Sequence, residues 1–247
     1  MVNKSKKRFW EIDFLRGIAI IMMIIFHFLY DLNYFNILSL ILYKGYFLIY
    51  VYIIGILFFT LVGISLTLSF NKAKKILSKK ELKFKFFYRG IKILCLGLFI
   101  TFISYLILDE GFIVFGVLHC IGVSIILAYP FLNLKYFNIL FGLIFIFFGL
   151  ILKNITFDFY WLLWLGLKPD VFYTIDYFPL LPWFGIILVG IFLGKEFYKE
   201  NNRRFNLIDL SSNKFIKIFL FLGKHSLVIY FIHQPILLLL IYFSLIL

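Results

Sequence analysis

Apolar residues in this chain run without alternation for about 20 positions at a time, the length of helix that crosses a hydrocarbon core. Seven such stretches occur, at about 12–32, 46–70, 86–108, 112–132, 136–152, 180–198 and 218–245. A transmembrane barrel needs inward and outward residues in alternation, which these runs lack. The expectation is therefore an all-α, polytopic membrane helix bundle of about seven transmembrane helices, forming a single integral-membrane domain over 1–247. A composition of 64% hydrophobic and 15% charged residues excludes an ordinary soluble domain, where the charged share is about 25%. The first stretch follows a basic N-terminus but keeps Asp13 and Arg16 and has no small-residue cleavage site. It reads as a first membrane helix rather than a removed signal peptide.

The formal net charge of +13 would suggest nucleic acid as a partner in a soluble protein; here topology accounts for it. Scored loop by loop, 20 of the 25 basic residues fall on one side of the seven stretches. They are Lys4, Lys6, Lys7 and Arg8; Lys72, Lys74, Lys75, Lys79, Lys80, Lys83, Lys85, Arg89 and Lys92; Lys135; and Lys195, Lys199, Arg203, Arg204, Lys214 and Lys217. The other side has Lys44, Lys153 and Lys168, set among Asp31, Asp109, Glu110, Asp158, Asp170 and Asp176. By the positive-inside rule the N-terminus is cytoplasmic and the C-terminus outside, in a multi-pass plasma-membrane protein whose basic loops meet anionic lipid. No nucleic-acid partner is expected. Cys95 and Cys120 sit within apolar stretches and suggest neither a disulfide framework nor a thiolate metal cluster. The four histidines lack metal-ligand spacing, so no metal is expected.

Ionisable side chains inside a membrane helix cost roughly 2.5–3.5 kcal/mol on insertion scales, which makes each a functional candidate. The first helix is the richest. Asp13 and Arg16 lie one turn apart, spaced for an ion pair or for presenting Arg16 to a phosphate. His27 is 11 residues beyond Arg16 and Asp31 four beyond His27, so Arg16, Ile20, Met23, His27 and Asp31 form one stripe along the helix. A histidine beside a carboxylate on such a stripe is a candidate general base. His119 opens the fourth stretch between Gly116 and Gly122, where it is either a satisfied core residue or a second catalytic candidate. His233 and Gln234 precede Pro235 in the last stretch; they either satisfy the backbone that proline frees or line a substrate path. Asp176 and Trp183 flank the entry to the sixth stretch, as interfacial residues or as the mouth of a site.

The segment from Arg8 through Asp13, Arg16 and Gly17 to Ala19, then Met22-Met23 and Phe26-His27-Phe28-Leu29-Tyr30-Asp31-Leu32, resembles the prokaryotic relatives of the heparan-alpha-glucosaminide N-acetyltransferase catalytic domain. Gly116 to Ser124, Asp176 to Gly194, and Leu222 to Leu227 with Tyr230, His233, Gln234 and Pro235 are similar to that family as well, so four blocks cover most of the chain in order. The Asp-x-x-Arg-Gly opening is shared with membrane O-acyltransferases of bacterial surface polysaccharides. The resemblance implies a transmembrane acetyltransferase that moves an acyl group from cytoplasmic acetyl-CoA to a sugar amine or hydroxyl outside. In the O-acyltransferases a histidine late in the first helix is the proposed catalytic residue, and His27 matches its place. The lysosomal enzyme has its important histidine in a following lumenal loop, but residues 32–46 here contain none, which leaves His27 or His119 as the base. On this reading His27, Asp31 and His119 carry catalysis, and Arg16, Arg89, His233 and Gln234 hold the acyl-CoA. Asp176 and Trp183 shape the substrate mouth, and the shorter chain makes a homodimer a candidate assembly. The rival reading is a transporter or flippase whose pathway is lined by the same ladder of polar groups.

Overall fold

The computed structural model describes residues 8–42, 44–199 and 202–246; Lys4, Lys6 and Lys7 of the basic N-terminus lie outside them. The chain folds as an all-α membrane bundle of α1 (Trp10–Tyr34), α2 (Gly45–Ala73), α3 (Lys79–Ile107), α4 (Val117–Leu127), α5 (Tyr136–Leu152), α6 (Leu180–Phe197), α7 (Lys214–Lys224) and α8 (Ser226–Ile246). A 3-10 turn at Pro130–Asn133 follows α4, and β1 (Tyr198–Lys199) pairs antiparallel with β2 (Asn202–Arg203). Among the described residues five helices, α1, α2, α3, α6 and α8, are long and apolar enough to cross a membrane, while α4 and α5 are shorter apolar helices. The chain divides into two compact units, one of Met1–Leu61 with Leu207–Leu247 and one of Val62–Asn206, the division falling inside α2.

In the first unit α1 is the axis. Glu11 and Asp13 occupy its first turn, where carboxylates complement the positive end of the helix dipole. Of the stripe expected from helical periodicity, Ile20, Met23 and Asp31 are buried, together with Asp13 and Gly17 beside it, while Arg16 and His27 are half-buried. Asn213 starts α7 by accepting hydrogen bonds from the Phe215 and Ile216 N–H groups (2.9 and 3.4 Å), an N-cap that the apolar count alone does not register. The single helix expected over 218–245 is broken at His225, where φ −103° and ψ 16° end α7 and α8 starts afresh. Glycines fix how α7 lies on α1: a side chain on Gly17 would run into the Phe219 carbonyl, and one on Gly223 into that of Asp13. Residues ascending α1 thus meet residues descending α7, so the two helices are antiparallel. Beyond the break the sense reverses, since His27 touches His233 and Asp31 touches Gln234. A one-residue break is what lets one chain segment serve both directions.

The second unit is joined by the same device. Gly90, Gly97 and Gly122 bring α3 against α4, and Gly142, Gly149 and Gly185 bring α5 against α6. Thr67 near the end of α2 donates its hydroxyl to the Gly63 or Ile191 carbonyl, each at 3.2 Å. Helix α3 begins earlier than the expected 86, because Ser78 and Glu81 form a reciprocal capping box. Instead of spanning 112–132, α4 has 11 residues, or about 16 Å at 1.5 Å per residue. Residues 111–115 instead form a loop sewn to the loop before α6, through Ile175 N–H to the Gly111 carbonyl and Phe178 N–H to that of Phe115, both 2.9 Å. Leu118, His119, Cys120, Ile121, Ser124 and Ile125 of α4 are all buried, as expected of a helix enclosed by protein rather than lipid.

One end of this unit gathers three of the basic segments. The Lys74 ammonium donates to Asn133 Oδ1 at 3.4 Å and the Tyr129 hydroxyl to the Lys79 carbonyl at 3.2 Å. Glu196 takes Lys135 at 2.7 Å and Arg204 at 3.1 Å. Three of the segments that charge counting assigned to one side thus lie together within this unit.

The contact of α7 with α1 yields a direct test. Gly223→Val forces a branched side chain against the Asp13 backbone, and overpacking of this kind costs about 1–3 kcal/mol. The melting temperature of the detergent-purified protein should fall clearly, whereas Ile218→Ala, at a 57% exposed position of the same helix, should leave it nearly unchanged. Equal melting temperatures for wild type and Gly223→Val would contradict the packing described.

Candidate functional site

The first unit carries two polar sites along α1. At the start of the helix the buried Asp13 carboxylate is held by Arg16 Nη1 at 3.0 Å and by Arg8 Nε at 3.1 Å. Arg16 Nη1 also donates to the Gly223 carbonyl at 3.3 Å. Of the two readings of Arg16, the i,i+3 ion pair is present in the structure, and its cation reaches across to α7 as well.

Three turns further along, about 16 Å at 1.5 Å per residue, His27, Asp31, His233 and Gln234 come together. The His27 Nδ1 lies 2.9 Å from the Met23 carbonyl, and the His233 Nδ1 lies 2.7 Å from the Tyr230 carbonyl. A carbonyl oxygen only accepts, so in each neutral ring Nδ1 carries the proton and Nε2 bears the lone pair. The two rings are in edge contact, with centroids 4.8 Å apart and planes at 80°. The Gln234 amide donates to Asp31 Oδ1 at 2.7 Å. Met23 rather than Asp31 orients His27, while Asp31 is tied to α8.

Polar atoms in this cluster are left over. Among the described residues five buried side-chain nitrogen or oxygen atoms have no hydrogen-bond partner, and three of them are here: Asp31 Oδ2, His233 Nε2 and Gln234 Oε1. Each such atom costs about 1–3 kcal/mol while it goes unpaired. All three are acceptors when Asp31 is a carboxylate. Together with the His27 lone pair they give the cluster more acceptors than donors, which suits a molecule that brings N–H or O–H groups.

The polar groups of the second unit are paired differently. His119 is buried, and its Nδ1 accepts the Gly116 N–H at 3.2 Å, so the other ring nitrogen is the protonated one and donates to Thr101 Oγ1 at 3.1 Å. Its tautomer is the reverse of that in His27, and both nitrogens are engaged. Gly97 leaves the room this ring needs, since a Cβ there would lie 3.0 Å from His119 Nδ1. Thr101 was not among the residues that the sequence marked out; one hydroxyl in an apolar run is a weak signal by itself. Asp176 Oδ2 accepts the Val117 N–H at 3.3 Å at the start of α4, where a carboxylate completes unpaired N–H groups and offsets the helix dipole. Trp183 is buried with its ring centroid 5.0 Å from that of Phe178. Arg89 is exposed on α3. Among the described residues no group of three or more His, Cys, Asp or Glu is placed to hold a metal ion.

Desolvation in the loop before α6 raises the Asp176 carboxyl to about 6, with the Val117 N–H acting in the opposite direction. The sign follows from proton uptake. A carboxyl whose folded pKa exceeds its unfolded value binds more protons when folded, so its contribution favours the fold at low pH and is lost as pH rises from about 4 to about 6. Asp176→Asn should remove that slope from the melting curve while keeping the cap, because the amide oxygen still accepts. Asp176→Ala should lose the cap at a cost of about 1 kcal/mol. An unchanged pH slope in Asp176→Asn would refute this role.

No curated protein and no solved structure matches the chain. A family model described as heparan-alpha-glucosaminide N-acetyltransferase, catalytic, matches it over residues 8–235, which takes in both units and every site residue named above. The chain belongs to the heparan-alpha-glucosaminide N-acetyltransferase catalytic-domain family.

Proposed function

We propose that the protein is a membrane acetyltransferase that takes an acetyl group from cytoplasmic acetyl-CoA and delivers it to a saccharide amine or hydroxyl on the outer side of the plasma membrane. The whole chain acts as one acyltransferase domain, with its N-terminus inside and its C-terminus outside. The observation that carries the assignment of the site is the donor-poor cluster of His27, Asp31, His233 and Gln234, in which three buried acceptors await a partner. An acyl acceptor brings the missing N–H or O–H groups and must give up a proton to react.

His27 is the general base. Its Nε2 lone pair is available because Nδ1 is spent on the Met23 carbonyl, and the same hydrogen bond fixes the ring. The acceptor nitrogen or oxygen attacks the thioester carbonyl as its proton moves to Nε2, a transfer typically worth 10²–10⁴-fold in rate. Asp31 Oδ2 and Gln234 Oε1 orient the acceptor through its remaining donors. Arg16 at the inner end of the stripe is the cation of the first unit that meets the coenzyme A phosphates, and an extended pantetheine arm bridges the distance from Arg16 to His27. His119 we assign to holding the start of α4, because neither of its ring nitrogens is available to a substrate.

The test is acetyl transfer from radiolabelled acetyl-CoA to a panel of hexosamines and hexoses by the protein in liposomes. His27→Ala should lose about 10²-fold or more of the turnover while keeping its melting temperature and its acetyl-CoA binding. His119→Asn should melt lower, yet turn over normally per folded molecule. Turnover retained by His27→Ala, or abolished in folded His119→Asn, would reverse the assignment.

A further inference from the structure

We infer that His27 and His233 act as a two-histidine relay that holds one proton between them during the transfer; this rests on the assignment of His27 as base. The ground is the hydrogen-bond inventory of the pair. Each neutral ring has a single N–H, and each has spent it on a carbonyl of its own helix, Met23 for His27 and Tyr230 for His233. Neither ring can donate to the other, although they are in contact at 4.8 Å between centroids. The His233 Nε2 is buried with no partner. The contact therefore brings together two rings that each keep a lone-pair nitrogen, and one added proton gives the pair what it lacks. A histidine that only repaired the helix at Pro235 would need its Nδ1–H alone, with no call for a buried, unpaired Nε2 facing the interior of the unit.

The acceptor's proton moves to His27 Nε2 while its nitrogen or oxygen forms a bond to the thioester carbon. The carbon–sulfur bond breaks and coenzyme A leaves as a thiolate. The proton passes from His27 Nε2 to His233 Nε2 and on to the thiolate sulfur, giving the free thiol and restoring both neutral rings. His27 thus meets the acceptor and His233 the leaving group, which divides base and acid work between two residues of one pair. The other titratable or charged groups on the elements around the pair are Glu11, Asp13, Arg16, Tyr30, Asp31 and Tyr34 on α1, Tyr46, Tyr50 and Tyr52 on the first-unit part of α2, Lys214, Lys217 and Lys224 on α7, His225 at the break, and Tyr230 and Tyr242 on α8.

Two measurements test the relay, and the first needs no acceptor. Nitrogen-15 histidine spectra of the liposome-bound protein, assigned with His119→Asn and His225→Asn, should show His27 and His233 as Nδ1–H tautomers at neutral pH. On acidification a single proton should move both Nε2 resonances together. An Nε2–H tautomer in either ring, or two independent protonations, would overturn the proposal. The second is a mutant cycle on acetyl transfer. His233→Ala and His233→Gln should each lower kcat about 10²-fold with acetyl-CoA binding unchanged, and the double variant His27→Ala with His233→Ala should be no slower than His27→Ala, as for residues that act as a unit. Full turnover in folded His233→Ala beside an inactive His27→Ala would remove the relay and leave the base. Turnover in His27→Ala would remove the base, and the spectra would still decide whether the pair shares a proton.

Discussion

A polar atom placed in hydrocarbon must find its hydrogen-bond partner within the protein, and that requirement orders both units of this chain. Thr67 turns its hydroxyl onto helix carbonyls, His119 spans the Gly116 N–H and Thr101, and Asp13 is clamped between two arginines. Against that background the unpaired acceptors at Asp31, His233 and Gln234 stand out. His119 is paired at both nitrogens, whereas His233 Nε2 is buried without a hydrogen-bond partner among the described residues, and the proposed division into a structural and a ligand-facing histidine rests on that difference. The difference lies in the direction of one hydrogen bond. A backbone N–H gives His119 its proton pattern, and backbone carbonyls give His27 and His233 the opposite one.

Helices can come close enough to share such groups because glycines remove the side chains between them. Gly17 and Gly223 seat α7 on α1, and the same contact brings the Gly223 carbonyl to Arg16. Without a hydrophobic drive between helices in lipid, this close packing and these polar links supply the association. The break at His225 then frees α8 to run along α1 in the same sense as α1, which is how His233 and Gln234 reach residues on the far side of the sequence. Packing at one end of α1 thereby fixes the polar cluster at the other.

Much of this was legible in the residues, and what was not has physical causes. Helical periodicity placed Arg16, Ile20, Met23, His27 and Asp31 on one stripe, because a 3.6-residue repeat needs no knowledge of neighbours. Charge segregation grouped the basic segments that Lys74, Lys135 and Arg204 bring together at one end of the second unit. Hydropathy failed where apolar sequence is not spanning helix. Residues 112–132 are apolar because α4 is enclosed by protein, and 218–245 because two helices there are both apolar. The starts of α3 and α7 depend on Ser78, Glu81 and Asn213, polar residues that an apolar window passes over. The pairing of His27 with His233 and of Asp31 with Gln234 depends on α8 packing beside α1, and the tautomers depend on which backbone group each ring meets. Neither is written in spacing along the chain.

We place acyl transfer at the α1–α8 cluster rather than at the start of α4. A structure of the protein in lipid with a non-hydrolysable thioether analogue of acetyl-CoA tests it most directly. The analogue's carbonyl carbon should lie beside the His27 ring, with room for an acceptor atom to approach at about 3–3.5 Å. A carbonyl found against His119, with the His27 cluster empty, would contradict it.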